Sequence, residues 1–132
     1  NKDLQQIQII KHITKQSDLD IQIVGVPTVR ENSGLAMSSR NKQLTIKELK
    51  EATLIYKSLK WVKENFQKIS ICELKNETII KFNKQSNLDL EYFEIVSLDT
   101  LSPISKFLGK NKNAVCIAAS ISGVRLIDNI IF

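Results

Sequence analysis

Leu4, Ile7, Ile10 and Ile13 fall on one stripe at helical spacing, with Gln, Lys and Thr between them. Residues 4–17 therefore predict an amphipathic helix. Asp18 and Asp20 punctuate a turn, and Ile21-Gln22-Ile23-Val24-Gly25-Val26 follows as a β-branched run. That run predicts a short buried strand closed by Pro27. A helix and strand so tightly joined form half of an α/β layer, which cannot stand alone because a single strand leaves its hydrogen-bonding edges unpaired. Residues 27–44 read as a loop dense in Pro27, Asn32, Ser33, Gly34, Ser38, Ser39 and Asn41. Loops of that length are usually functional or mobile.

From Thr45 the pattern changes. Thr45-Ile46-Lys47-Glu48 is a capping box, in which the threonine oxygen accepts a first-turn N–H and the glutamate reaches back. The helix it opens carries Leu49, Ala52, Tyr56, Leu59, Val62 and Phe66 on one face. Ser70-Ile71-Cys72-Glu73 repeats the device and opens a second helix to about Asn83. Residues 88–97 are rich in strand formers, and residues 114–122 and 124–132 predict two more strands joined across Ser122-Gly123. Residues 45–132 thus read as α+β, with two helices packed on a short antiparallel sheet. Trp61, Phe66, Phe82, Tyr92 and Phe93 sit at core spacing, and Asp18, Asp20, Asp89 and Asp99 at turns and strand edges. Arg125 and Asp128 are assigned to a structural pair or to surface charge.

Composition narrows the class. The 132 residues are 42% hydrophobic and 25% charged, with 4 Gly and 2 Pro, which excludes disordered, collagenous and disulfide-scaffold chains. The most apolar run, residues 114–124, is too short to span a bilayer and holds Ser120 and Ser122. Cys72 and Cys116 match no metal-ligand spacing and read as buried free thiols of a reducing compartment. His12 is the single histidine, in a lysine-flanked helical stretch that points to a surface or boundary position. The net charge of +5 comes from 19 Lys+Arg against 14 Asp+Glu, and only Arg30, Arg40 and Arg125 are arginines. Scattered lysines make a solvated face rather than a nucleic-acid surface.

Three clusters could carry chemistry. Lys2-Asp3 with Gln5-Gln6 lies at a predicted helix N-terminus, where free N–H groups and partial positive charge suit an anion. Arg30-Glu31-Asn32-Ser33-Gly34 and Met37-Ser38-Ser39-Arg40-Asn41 set hydroxyls beside guanidinium groups, a workable polyphosphate cradle.

Taken in order, Lys2-Asp3-Leu4-Gln5-Gln6, then Val24-Gly25-Val26-Pro27-Thr28-Val29-Arg30-Glu31, then Gly34-Leu35-Ala36-Met37-Ser38-Ser39-Arg40-Asn41, strongly resemble the pantothenate synthetase family. Val124-Arg125-Leu126-Ile127-Asp128-Asn129 resembles that family's C-terminal strand, so the likeness covers nearly the whole chain. The resemblance implies an AMP-forming carbon–nitrogen ligase of coenzyme A biosynthesis. Such an enzyme joins pantoate to β-alanine with ATP and Mg2+, through a pantoyl adenylate, releasing AMP and pyrophosphate. It implies a cytoplasmic, homodimeric complete enzyme with small-molecule substrates and neither nucleic acid nor membrane as partner. Residue by residue, Lys2 is placed at ATP phosphate, Asp3 at the ribose, Gln6 at pantoate and the Val29 backbone at adenine. Met37, Ser38, Ser39 and Arg40 match the phosphate loop, so Lys2, Ser38, Ser39 and Arg40 are the catalytic candidates. No metal ligand is assigned.

The family's His-x-Gly-His motif and a further pantoate-binding glutamine have no counterpart here. The chain therefore reads as the C-terminal half of such an enzyme. Residues 1–41 would be the last helix and strand of a Rossmann-like nucleotidyl-transferase domain with its phosphate loop. Residues 42–132 would be the small α+β lid domain, with a hinge at 41–46. Such a half is expected to be inactive alone, its residues 4–26 either pairing with a second copy or sitting loosely. The competing reading is a stand-alone basic α+β module that grips a polyanion or a protein partner.

Overall fold

Reciprocal bonds between side chain and backbone fix where two of the helices begin. Thr45 Oγ1 accepts the Glu48 N–H at 3.3 Å while Glu48 Oε2 accepts the Thr45 N–H at 2.7 Å. Ser70 and Glu73 repeat the pattern at 3.2 and 2.9 Å. Each box satisfies donors that a helix start leaves unpaired. They open α2 (Ile46–Asn65) and α3 (Ile71–Asn83). The computed structural model describes residues 2–84 and 87–132. Before α2 lie α1 (Leu4–Gln16) and a 3₁₀ turn (Ser39–Gln43). After α3 come β1 (Asp89–Ser97), β2 (Asn113–Ile121) and β3 (Val124–Ile131).

The strands form an antiparallel meander in the order β1-β2-β3, with Phe93 opposite Ile117 and Ala119 opposite Leu126. A bulge falls between Leu90 and Tyr92. Ser122 and Gly123 join β2 to β3 with φ of 49° and 79°, the pair of positive values that a two-residue type I′ hairpin requires. Residues 101–104 run along the outer edge of β1, where Ile95 O accepts the Ile104 N–H at 3.1 Å and the Ser97 N–H reaches Ser102 O at 2.9 Å.

Strand alternation sorts the core into two faces. Phe93, Ile95, Val115, Ile117, Ala119, Ile121 and Leu126 pack under α2 and α3 against Ile55, Leu59, Val62, Leu74 and Phe82. On the opposite face Val96, Ala114 and Cys116 meet Leu4 of α1, with Tyr92, Leu98, Leu101 and Ile131 around them. β2 is covered on both sides, which is why residues 114–119 read as an unbroken apolar run rather than an alternating one. Phe66, Phe107 and Phe132 close one end of the core with ring centroids 4.9 to 6.1 Å apart. Lys81 sits 3.4 Å over the Trp61 ring. Among the described residues no helix is long and apolar enough to cross a membrane.

The two helices on a short antiparallel sheet are as the sequence predicts. The N-terminal strand is not. Residues 19–29 form no strand, and Ile21, Val24 and Val26 are exposed rather than buried. β-Branched composition supplies propensity, but a strand also needs a neighbouring edge and a face to bury. α1 forms over the predicted span, yet Leu4 is its only buried residue, and Ile9, Ile10 and Ile13 lie open. Cys116 is buried as expected, whereas Cys72 is exposed. Arg125 and Asp128 do not pair with one another. They point to opposite faces of β3, Arg125 meeting Glu91 at 2.6 Å and Asp128 meeting Arg30.

The packing sets how the chain responds to acid and to alkylation. The Ser122 hydroxyl, then Thr45, holds the Glu48 carboxyl below the ordinary glutamate range, and Ser70 does the same for Glu73. Both contributions are present in full above pH about 4.5, the unfolded value, and are lost as pH falls through the lower folded values. Thermal melts from pH 7 down to about 3 should show this loss, and it should be smaller in Glu48→Gln. Burial also pushes the Cys116 thiol up to about 11, leaving little thiolate at neutral pH. Iodoacetamide on the native chain should add one carbamidomethyl group, mapped by peptide mass to Cys72.

Candidate active site

Leu4 anchors the start of α1 in the second core face, and this brings the residues around it to the sheet. Lys2, Asp3 and Gln6 line a cavity of about 140 Å³ together with Tyr92, Ile127 and Asn129. The Asn129 Nδ2 donates to Lys2 O at 2.8 Å, holding the backbone just before the helix. Asp3 stands at the N-cap and its carbonyl accepts the Ile7 N–H at 3.2 Å, but its side chain makes no capping hydrogen bond. A carboxylate beside a helix start that does not use it can serve another partner. Burial raises the Tyr92 phenol above its ordinary value, so the hydroxyl in this wall keeps its proton and can donate. Cys116 is in the same wall.

The loop expected to be functional or mobile is pinned at many points. Arg30 and Ala36 form an antiparallel bridge, with Leu35 O accepting the Glu31 N–H at 2.8 Å and Val29 O accepting the Met37 N–H at 3.0 Å. Gly34 turns the loop at φ +90°, a conformation that favours glycine. A Cβ there would also run into the Tyr56 ring. Arg30 lies across that ring, 4.1 Å from its centroid. Its Nη1 donates to Asp128 Oδ2 at 2.6 Å and to Gly34 O at 3.1 Å, and its Nη2 donates to Asp128 Oδ1 at 3.0 Å. A guanidinium so occupied is an anchor for the loop and not a phosphate clamp.

Beyond the anchor, Ser38 Oγ accepts the Arg40 N–H at 3.2 Å and starts the 3₁₀ turn. Asn41 is buried behind it, its Nδ2 donating to Ala36 O at 3.1 Å and its N–H to Ser38 O at 3.1 Å, while Oδ1 is left without a partner. Met37, Ser38 and Ser39 line an open groove with Ser33, Asn41 and Lys42. Ser39 and Arg40 are exposed.

The sequence candidates thus fall into two sets. Lys2, Asp3 and Gln6 share the helix-end cavity, and Met37, Ser38 and Ser39 share the loop groove. Val29 is tied to the loop set by its bond to Met37, and Arg40 follows on the turn. Sequence reasoning missed Asn129, whose amide holds Lys2, and misassigned Asp128. The available signal was the polar pair Asp128-Asn129 interrupting the apolar run of β3; the structure buries both. Among the described residues no three His, Cys, Asp or Glu side chains are placed to hold a metal ion.

Known proteins carry the same pattern. The family model described as Pantoate-beta-alanine ligase matches residues 1–131. The pantothenate synthetase of Cytophaga hutchinsonii is 38% identical over 132 residues, covering 98% of this chain and 47% of that protein. The one from Azobacteroides pseudotrichonymphae is 42% identical over 131 residues, covering 99% and 47%. Among solved structures, the pantothenate synthetase of Thermus thermophilus aligns with a TM-score of 0.88 at 31% identity, over 97% of this chain and 46% of that one. The pantoate-β-alanine ligase of Francisella tularensis, complexed with β-γ ATP and β-alanine, aligns with a TM-score of 0.58 at 29% identity, over 98% and 40%. The chain spans about half the length of the curated relatives it matches. The family match takes in both the Lys2-Asp3-Leu4-Gln5-Gln6 helix start and the Ser38-Ser39-Arg40 loop, and the chain belongs to the pantoate–β-alanine ligase family.

Proposed function

We propose that this chain supplies the C-terminal part of an enzyme that joins pantoate to β-alanine using ATP. The observation that carries the reading is the helix-end cavity, where Lys2, Gln6 and Asp3, whose side chain makes no capping hydrogen bond, stand together at the positive end of α1. In the proposed reaction a carboxylate oxygen of pantoate attacks the α-phosphorus of ATP and pyrophosphate leaves. The amine of β-alanine then attacks the acyl carbon of the pantoyl adenylate, AMP leaves, and the amine gives up a proton. Negative charge builds on phosphoryl oxygens in the first step, so fixed cations and donors stabilise it. Lys2 and Arg40 supply the charge, and Ser38 and Ser39 supply hydroxyl donors. Asp3 takes the ribose, Gln6 orients pantoate, and the backbone at Val29 meets adenine. Among the described residues no carboxylate cage for Mg2+ is present, so Mg2+ would enter with the ATP phosphates.

Residues 1–41 are assigned to the end of a Rossmann-like domain and residues 42–132 to a lid. The open side chains of Ile9, Ile10, Ile13, Ile21 and Val24 support this, since they are the kind of surface that a neighbouring sheet covers. The ATP and β-alanine in the Francisella tularensis complex support small-molecule substrates. The complete enzyme is read as a cytoplasmic homodimer.

The test is turnover. The 132-residue chain alone, given ATP, pantoate and β-alanine, should release no AMP, because it lacks the family's histidine motif. Joined to the first half of the Cytophaga hutchinsonii relative, it should form AMP only when both other substrates are present. Lys2→Ala and Arg40→Ala should each lower kcat in that joined enzyme by about 10²-fold, the usual loss for one charge-stabilising group. A joined enzyme that folds and stays silent, or variants that keep full kcat, would overturn the reading.

A further inference from the structure

We infer that Asp128 and Asn129 are a positioning pair, two successive residues of β3 that hold the two halves of the site in fixed relation. The inference rests on the proposed ligase reading and adds residues that it does not use. Successive strand residues point to opposite faces. Asp128 faces the loop, where its Oδ1 and Oδ2 accept both arms of Arg30 at 3.0 and 2.6 Å. Asn129 faces α1, where its amide holds Lys2 O at 2.8 Å. Asp128 Oδ1 also accepts the Asn129 N–H at 2.8 Å, so the two residues are locked to each other as well.

Burial gives this arrangement its stiffness. The Asp128 side chain is 1% exposed and that of Arg30 18%, so losing Arg30 would leave Asp128 a buried charge without its partner. Arg30 in turn fixes Gly34 O and lies on Tyr56, which ties the root of the Ser38-Ser39-Arg40 loop to α2. Lys2 is bound through its backbone O, so this attachment does not occupy its ammonium. A cation at the helix end and a cation on the loop must converge on one polyphosphate, and catalysis by convergence depends on their separation being set beforehand. β3 sets it here, because one dipeptide carries both attachments.

The test uses 1H–15N spectra of the full 132-residue chain. Asp128→Asn keeps the size of the side chain and removes its charge. It should move the amide signals of residues 38–40 and also those of residues 2–6 on the far face, while those of α3 stay in place. Asn129→Ala should move both sets in the same way, although the bond to Lys2 that it removes lies on the α1 side. Shifts confined to the face of each substitution, or spread equally into α3, would overturn the inference. Should Asp128→Asn fail to fold, Arg30→Lys, which keeps the charge and loses the two-armed geometry, replaces it with the same outcomes. Turnover of the enzyme joined to the Cytophaga hutchinsonii half separates this from the reading beneath it: a joined enzyme that folds and stays silent sinks the ligase reading while leaving the coupling through β3 intact.

Discussion

Everything in this fold depends on the central strand having cover on both sides. β2 is apolar at nearly every position, so neither face can be left to water. α2 and α3 cover one face with Ile55, Leu59, Leu74 and Phe82. The other face is closed by Leu4 together with Leu98 and Leu101 from the segment after β1. Burying a leucine of this kind is worth about 2 kcal/mol, enough to hold the first turn of a short helix whose other apolar residues contribute little here. The same contact delivers Lys2, Asp3 and Gln6 to the sheet. Stability and the candidate site are thus consequences of one hydrophobic requirement.

The C-terminal two thirds were legible because their signals are local. A capping box needs residues three apart, a helical face needs a 3.6-residue period, and a type I′ turn needs Ser122-Gly123 or a pair like it. The interactions that shape the site are not local. Arg30 and Asp128 are 98 positions apart, and Lys2 and Asn129 are 127 apart. Nothing in the run Val29-Arg30-Glu31 says that its arginine will stack on Tyr56 and bind a strand near the end of the chain. Arg125 and Asp128 do not meet one another, because three positions along a strand put side chains on opposite faces. The run at 21–26 fails for a related reason. Its composition states a preference for extended backbone, and pairing depends on an edge that composition cannot supply.

The loop at 27–44 shows how a polar segment acquires shape without a core of its own. Gly34 lets the chain turn against Tyr56, Arg30 binds across the turn, and Asn41 closes the next bend from behind. Each bond is modest, about 1 kcal/mol net, with somewhat more where a charge takes part. Together they hold Ser38, Ser39 and Arg40 on one short turn while leaving the last two in solvent.

The segment lying against β1 has a consequence for how the molecule behaves in company. An outer strand offers a row of donors and acceptors to any other chain that passes, and sheets grow into fibres by that route. At the end of β1, residues 102–104 already occupy those positions, and Pro103, which bridges Val96, has no N–H to offer outward. Further along, the bulge between Leu90 and Tyr92 breaks the regular spacing that a docking strand would need. Along this edge the chain thus leaves a second strand little regular ladder to join, through one proline and one misaligned residue.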